Sequence, residues 1–172
     1  MATAVHVPLE VYLRSADYEP DAEYVDGEIE ERPMGEFDHA SWQYAIQQWF
    51  AQRATAWNIR VRAELRVQVG VMRYRVPDVT VIDKSQPVEQ ILTRPPIAVF
   101  EILSPEDRMP RIMRKLADYE QMGIQTIIVV ETELRTIYQY RYGSLEKLAS
   151  PIQELAGSQC SIDWRKVEEL LD

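Results

Sequence analysis

The chain has 172 residues, the usual length of one domain, and 46% of its residues are apolar and 27% charged. This composition excludes disordered and fibrous proteins, and no apolar run approaches the ~20 residues that a membrane-spanning helix needs. A net charge of −9 argues against a broad basic surface for nucleic acid, although basic residues gather over 60–75 and 108–115, where solvated charged faces are an equally good interpretation.

The first part of the chain carries two helical patterns separated by a hairpin pattern. A short helix is predicted over 9–15, and a strand or hairpin over 23–31, where Asp26-Gly27 is a turn dipeptide. A longer helix begins at Asp38, whose side chain is predicted to act as the N-cap. We expect this helix to pack on the core, because its apolar residues recur at three- and four-residue steps: Trp42, Ala45, Ile46, Trp49, Phe50 and Trp57.

Three strands are predicted in the middle of the chain. Residues 59–69 alternate between apolar and polar side chains, which indicates one long strand with a single buried face. After Gly70 turns the chain, two short apolar runs follow at 76–82 and 97–103, and their composition is typical of interior strands. Each of these two runs contains one carboxylate.

The last third of the chain begins with a helix over Asp107–Met122, which ends at Gly123, a residue typical of a C-cap. Two strands and a last amphipathic helix follow, over 126–130, 135–140 and 163–171. No repeat or linker divides the sequence. Residues 1–172 are therefore predicted to form a single α/β or α+β domain, in which helices flank a sheet.

Two carboxylates and one lysine contradict the pattern around them. Asp78 lies in the apolar run 76–82 and Glu101 in the run 97–103, and burying an unpaired carboxylate is costly. Lys115 lies within ~60° of the apolar stripe of its helix, so its ammonium is predicted to point towards the sheet. Because functional sites tend to violate folding rules, these three residues are the candidate catalytic site.

Such a trio suits metal-dependent hydrolysis of a phosphodiester. Carboxylates are the ligands that hard cations prefer, so Asp78 and Glu101 are predicted to bind Mg²⁺ or Mn²⁺, while Lys115 stabilises or orients the nucleophile. The alternative is structural: the carboxylates cap strand ends, and the lysine carries its charge outwards from an apolar helix face. For any one of these residues taken alone, the structural alternative is the stronger interpretation.

Other chemistries lack the residues that they need. With Cys160 as the lone cysteine and only two histidines, the sequence supplies neither a disulfide nor a zinc site, and it favours a reducing, cytoplasmic location. The six dispersed glycines form neither a P-loop nor a dinucleotide fingerprint, so no nucleotide cofactor is expected. His39 is more typical of a helix terminus and is a minor candidate for the site.

Several motifs follow one another in a fixed order: Glu23-Tyr24-Val25-Asp26-Gly27-Glu28, His39, Pro77-Asp78, Glu101-Ile102-Leu103-Ser104-Pro105 and then Lys115, Tyr119 and Gly123. This order resembles the Uma2 family, whose members are described as putative restriction endonucleases and belong to the PD-(D/E)XK nucleases. The resemblance covers most of the chain. Its most specific part is the Glu-Ile-Leu-Ser-Pro element followed by the lysine-bearing helix.

The resemblance implies a restriction-endonuclease-like core, with a central mixed sheet flanked by helices, and often a homodimer. The usual nuclease signature places its lysine two residues after the second acid, where this chain has Leu103; the resemblance implies that Lys115 on the following helix replaces it. It also implies that Glu28 is an additional acid near the metal and that the backbone carbonyl of Ile102 is a further metal ligand. An exposed strand glutamate beside a turn is an equally good interpretation of Glu28.

Two hypotheses from different classes follow. The first is an Mg²⁺-dependent endonuclease with DNA as its substrate, in which Asp78 and Glu101 hold the metal ion and Lys115 assists the attacking water. The second is a catalytically silent protein that keeps the nuclease fold as a dimeric binding module, and the acidic net charge favours it. A fold in which the three side chains pointed apart would exclude the first hypothesis.

Overall fold

The computed structural model of the protein describes residues 5–15, 22–33 and 35–171. In these ranges the helices are α1 (Leu9–Arg14), α2 (Phe37–Ala51), α3 (Ala54–Trp57), α4 (Met109–Met122) and α5 (Trp164–Glu168). The strands are β1 (Glu23–Val25), β2 (Glu28–Glu30), β3 (Ile59–Ala63), β4 (Val67–Gly70), β5 (Arg73–Arg75), β6 (Val79–Asp83), β7 (Ala98–Ile102), β8 (Thr126–Glu131), β9 (Thr136–Arg141), β10 (Ser144–Lys147), β11 (Ile152–Glu154) and β12 (Ser161–Asp163). None of the helices in these ranges is long and apolar enough to span a membrane.

A mixed six-stranded sheet forms the centre of the structure, with the strand order β10-β9-β8-β7-β6-β3. Strands β7 and β8 run parallel, with α4 as the crossover between them, and the other neighbours in this sheet pair antiparallel. A four-stranded sheet has the order β2-β1-β5-β4, and β11 and β12 form a separate antiparallel pair. The predicted fold class, an α/β fold with a central mixed sheet flanked by helices, is confirmed.

The two faces of the central sheet carry different cores, because side chains alternate along each strand. On β7, Phe100 faces the core formed with α2 and α5. Val99 faces the opposite core, which α4 completes with Leu116 and Tyr119. Glu101 lies two residues after Val99, so the strand itself turns this carboxylate towards α4.

Helix α4 lies between the two larger sheets. Its apolar residues pack in one cluster with Val129 of the central sheet and, at the edge of the cluster, with Val69 of β4. The helix starts with Pro110 in its first turn, where a missing N–H does no harm. It ends at Gly123, whose φ of +101° is left-handed, so the predicted C-cap is confirmed. The buried face of α4 can therefore contact both sheets.

The prediction of a single long strand over 59–69 is wrong, because this segment forms two strands, β3 and β4, which are separated around Glu64. Glu64 has a φ of +51°, a left-handed backbone that interrupts an extended strand. Strand β3 pairs with β6 at the edge of the central sheet, while β4 pairs with β5 in the four-stranded sheet. Of the residues in β3, only Ile59 is buried, so the predicted continuous buried face does not form.

Helix α2 begins one residue earlier than predicted, and the predicted cap is wrong. Its N-cap residue is Glu36, no described side chain caps it by a hydrogen bond, and Asp38 lies in the first turn, where a negative charge favours the helix dipole. Trp57 belongs to the separate helix α3. Trp42 and Trp49 are buried in the core, as predicted.

Asp78 precedes β6 and does not lie inside it. The strand predicted over 76–82 is observed over Val79–Asp83, and Pro77 has no N–H with which to extend the pairing. Asp78 therefore lies in the short connection through which the chain crosses from β5 in the four-stranded sheet to β6 in the central sheet. This connection places a carboxylate between the two sheets.

Candidate active site

Glu101 and Lys115 form the centre of a buried cluster of charged side chains. Lys115 Nζ donates a hydrogen bond of 2.9 Å to Glu101 Oε2, and the Tyr119 hydroxyl donates one of 2.6 Å to Glu101 Oε1. Lys115 and Tyr119 lie one turn apart on α4, so they present their donors from the same face. Glu101 and Lys115 are 4% and 5% exposed. The helix thus turns Lys115 towards the sheet, as its angular position predicts.

Asp78 is a second buried carboxylate, and it is held from two directions. Its Oδ2 accepts a hydrogen bond of 2.7 Å from the backbone N–H of Ile102, which ties Asp78 to the end of β7 beside Glu101. Its Oδ1 contacts the guanidinium of Arg32 and lies 3.2 Å from His39 Nε2. Burial alone would raise the pKa of Asp78, but the contacts with His39 and Arg32 hold this pKa below its ordinary value.

Glu23 is a third buried carboxylate at this place, and it comes from β1. Its Oε1 lies 2.7 Å from Lys115 Nζ and accepts a hydrogen bond of 2.9 Å from the Val76 backbone N–H. Its Oε2 accepts a hydrogen bond of 3.1 Å from Arg75. Burial alone would raise the pKa of Glu23, but Lys115 and Arg75 hold it below its ordinary value. The Lys115 ammonium therefore lies between Glu23 and Glu101.

Arg75 continues the charged cluster into the four-stranded sheet. Although it is only 1% exposed, its guanidinium contacts three carboxylates. Besides Glu23, these are Asp118 on α4, whose Oδ2 lies 2.8 Å from Arg75 Nε, and Glu30 on β2, whose Oε2 lies 2.9 Å from Nη1. Buried charges are tolerated when they are paired and hydrogen-bonded, as they are here.

Glu101 has the least compensated charge of the three carboxylates. Burial raises its pKa to about 7, and the nearby carboxylates of Asp78 and Glu23 add to this effect against the opposing charge of Lys115. Burial alone would lower the pKa of Lys115, but Glu101 and Glu23 outweigh burial and raise it. The lysine is therefore held as an ammonium, and one ammonium serves two carboxylates.

A small cleft opens beside these side chains. Its cavity volume is about 30 Å³, which is enough for an ion or one or two water molecules. The ionisable residues that line it carry both signs of charge: Glu23, Arg32, His39, Asp78, Glu101, Asp107, Arg111 and Lys115. Asp78, Glu101 and Lys115, which lie far apart in the sequence, thus converge on one cleft.

The donors of this cleft fit a hard divalent cation that keeps several of its water ligands. Mg²⁺ in proteins is usually bound through one or two carboxylates together with substrate phosphates, and Asp78 and Glu101 supply such a pair. No group of three or more His, Cys, Asp or Glu side chains within 5–15, 22–33 and 35–171 is arranged to hold a metal ion. A metal ion at Asp78 Oδ1 would compete with Arg32 and His39, which both contact this oxygen.

The structure separates Glu28 from the other predicted site residues. Glu28 is exposed on β2 and lines an open groove outside the cleft. Glu23, on the paired strand of the same hairpin, lies in the cleft instead. The sequence does contain a signal for Glu23, because it is a carboxylate next to the buried Tyr24. In a strand of three residues, however, an alternating pattern is too short to recognise.

Two other predicted residues do lie at the cleft. His39 on α2 lines it and contacts Asp78, so this minor candidate is part of the cluster. Ile102 also lines it, and its backbone N–H binds Asp78. The role predicted for the carbonyl of Ile102, a metal ligand, stays a prediction.

Comparisons with known proteins give a family for the chain and a similar fold. The family model of Uma2, described as "Putative restriction endonuclease", matches residues 9–159. A crystal structure described as "a putative nuclease belonging to DUF820 from Anabaena variabilis ATCC 29413" superposes with a TM-score of 0.81 and 21% sequence identity, covering 96% of this chain and 99% of that one. The cryoEM structure of the DrdV–DNA complex matches with a TM-score of 0.43 and 21% identity, covering 62% of this chain and 10% of that chain. No curated protein matches the chain.

Proposed function

Because the chain belongs to the Uma2 family, described as putative restriction endonucleases, we propose that it hydrolyses phosphodiester bonds of DNA with the help of a divalent metal ion, Mg²⁺ or Mn²⁺. The observation that carries this proposal is the convergence of Asp78, Glu101 and Lys115 on one cleft. Carboxylates together with a buried ammonium suit phosphoryl chemistry, in which negative charge must be held and stabilised.

The three residues have separate roles in this proposal. Asp78 and Glu101 hold the metal ion, which when bound supplies an electrophile for the phosphate and lowers the pKa of a water. The Ile102 N–H keeps the carboxylate of Asp78 in place at the end of β7. Lys115 directs its ammonium into the cleft, where it orients the attacking oxygen and stabilises the charge that develops on the phosphate.

A plasmid-nicking assay tests this function. Purified protein is expected to nick supercoiled DNA with Mg²⁺ or Mn²⁺ and to stop when EDTA removes the metal. The Glu101→Gln variant should nick DNA more than about 100-fold more slowly, because changing even a residue that only contacts a metal ligand lowers activity by about 10–100-fold. Glu146→Gln, at an exposed position on β10, is the matched control. Nicking that persists at the full rate in Glu101→Gln would place the active site elsewhere.

A second function is favoured by a specific observation about the same carboxylates. Each oxygen of Asp78 and Glu101 already has a protein donor, and the net charge of −9 is unfavourable for binding DNA. A catalytically silent module that recognises a partner, as a homodimer, would keep such a paired cluster for stability. Calorimetric metal binding without cleavage of any DNA or RNA form would support this function, and light scattering would test the dimer.

A further inference from the structure

The structure gives Lys115 a second anchor that the nuclease signature does not require. In that signature the lysine lies on the same strand as the second acid, and the sheet backbone fixes its position. In this chain the lysine extends from α4, and a lysine side chain has four rotatable bonds that must be ordered. Glu23 on β1 contacts the same ammonium as Glu101 does.

Three oxygen atoms surround the Lys115 ammonium, which has three N–H donors. Two of them accept hydrogen bonds from Lys115 Nζ, Glu101 Oε2 at 2.9 Å and the Val76 carbonyl at 3.3 Å. The third, Glu23 Oε1, forms an ion pair with Nζ at 2.7 Å. The bond to Val76 is the longest and therefore the weakest of the three, so it is the one that a substrate or water oxygen can most easily replace.

Glu23 is itself fixed, so it can act as an anchor. Besides Lys115, its carboxylate accepts hydrogen bonds from the Val76 N–H and from Arg75. Arg75 is in turn held by Asp118, which lies on α4 nearly one turn after Lys115. The carboxylate, the guanidinium and the lysine thus form a closed set of contacts between β1, β5 and α4.

We infer that Glu23 is a positioning residue, which holds the Lys115 ammonium against Glu101 at the cleft, and that Arg75 holds Glu23 for this task. The inference rests on the proposed function for its consequence in catalysis. In this inference Glu23, and not Glu28, is the additional acid of the site. Glu23 acts by holding the lysine and does not bind the metal ion.

Glu30 provides the matched control. It is the same residue type, it lies directly opposite Glu23 in the β1–β2 hairpin, and it contacts the same nitrogen, Arg75 Nη1. Its carboxylate pairs with Arg75 and Arg111 and does not line the cleft. Loss of either carboxylate therefore weakens the Arg75 network, whereas only loss of Glu23 releases Lys115.

The first experiment follows the Lys115 ammonium itself and needs no catalytic activity. A buried, hydrogen-bonded ammonium exchanges its protons slowly, and in protein labelled with ¹⁵N at lysine it gives a ¹H–¹⁵N signal, which Lys115→Arg removes and so assigns. Glu23→Gln and Glu23→Asp should shift or broaden this signal, and Glu30→Gln should leave it in place. An unchanged signal in a folded Glu23 variant overturns the inference.

The second experiment measures single-turnover cleavage of DNA. Glu23→Gln should lower the maximal rate by about 10–100-fold while the DNA concentration for half-maximal rate stays within about threefold, as for residues that orient a catalytic group. In a Lys115→Gln background the same change should have no further effect. If Glu23 acted only on stability, its substitution would lower the maximal rate by the same factor with Lys115 present and with Lys115→Gln. Absence of cleavage in the unaltered protein would overturn the proposed function and leave the ammonium signal as the test of Glu23.

Discussion

At the scale of single residues, the carboxylate of Glu101 is held by two donors of different kinds. Lys115 donates from a charged ammonium to one oxygen, and Tyr119 donates from an uncharged hydroxyl to the other. Both hydrogen bonds are charge-assisted because a carboxylate accepts them, but only Lys115 also neutralises the charge of Glu101. If Glu101 binds a metal ion through one oxygen, giving up the contact with Tyr119 leaves this pairing of opposite charges in place.

The hydrogen bond from Tyr119 should nevertheless contribute to stability. Tyr119→Phe removes the donor and leaves a buried carboxylate oxygen without it, which should lower the free energy of unfolding by about 1–3 kcal/mol. Urea unfolding followed by tryptophan fluorescence measures this change. Tyr142→Phe is the control, because Tyr142 is 88% exposed and its change should leave the midpoint as it is. Equal midpoints for the two variants would contradict the assignment.

At the scale of elements, the interruption between β3 and β4 lets two consecutive strands belong to two different sheets. Glu64 takes a φ of +51°, after which the chain leaves the central sheet and enters the four-stranded sheet. A left-handed backbone is unfavourable for residues with a Cβ atom and most unfavourable for β-branched residues. The conformation of this residue therefore contributes to the arrangement of the two sheets.

Because the backbone at Glu64 is left-handed, we expect glycine to be more stabilising than valine at this position, the reverse of the order in an ordinary strand. Glu64→Gly should leave stability unchanged or raise it by up to about 1 kcal/mol, whereas Glu64→Val should lower it by about 1–3 kcal/mol. At Arg62, an exposed residue in the extended strand β3, the order should be the usual one, with valine more stable than glycine. Denaturant midpoints of the four variants test this, and the same order at both positions would contradict it.

The break at Glu64 also shows why the elements were only partly predictable. The apolar alternation continues through residues 59–69, and no glycine or proline marks the point where the strand ends. The interruption depends on which sheet each half pairs with, and a local pattern does not contain that information. Short strands have the same difficulty, and β5, β10, β11 and β12 are absent from the prediction for this reason.

The candidate site was more accessible to prediction than its surroundings. Asp78 and Glu101 were recognisable because each is a charge in a short apolar run, and Lys115 because α4 has a strong helical period. Glu23 was in the motif that resembles the family, but its strand is short, and the resemblance pointed to Glu28. That a third carboxylate faces the lysine follows only from the packing of the β1–β2 hairpin on α4.

At the scale of the whole molecule, Arg75 connects the four-stranded sheet to α4. Through three carboxylates it joins β1, β2 and α4, and α4 in turn packs on the central sheet. Removing one member of a buried charge network is more damaging than removing the whole network, because the remaining charges stay buried without a partner. The junction between the two sheets should therefore be sensitive to this single residue.

Arg75→Met should destabilise the whole fold by about 3–5 kcal/mol, because Glu23 and Asp118 lose their common partner. Guanidinium unfolding monitored by circular dichroism gives the change in the free energy of unfolding. Arg114→Met, an exposed change on α4, should unfold close to the unaltered protein. If Arg75→Met were neutral, the buried network would have no part in joining the sheets.

The cleft draws its side chains from widely separated parts of the chain, with Glu23 at one end of this series and Lys115 at the other. During synthesis on the ribosome the carboxylates emerge first, and the lysine emerges last, together with the helix that fills the space between the sheets. A nascent chain that stops before α4 would carry Glu101 without the ammonium and the hydroxyl that hold it. By this order of emergence, the chain acquires the complete charged lining of the cleft only when α4 has been made.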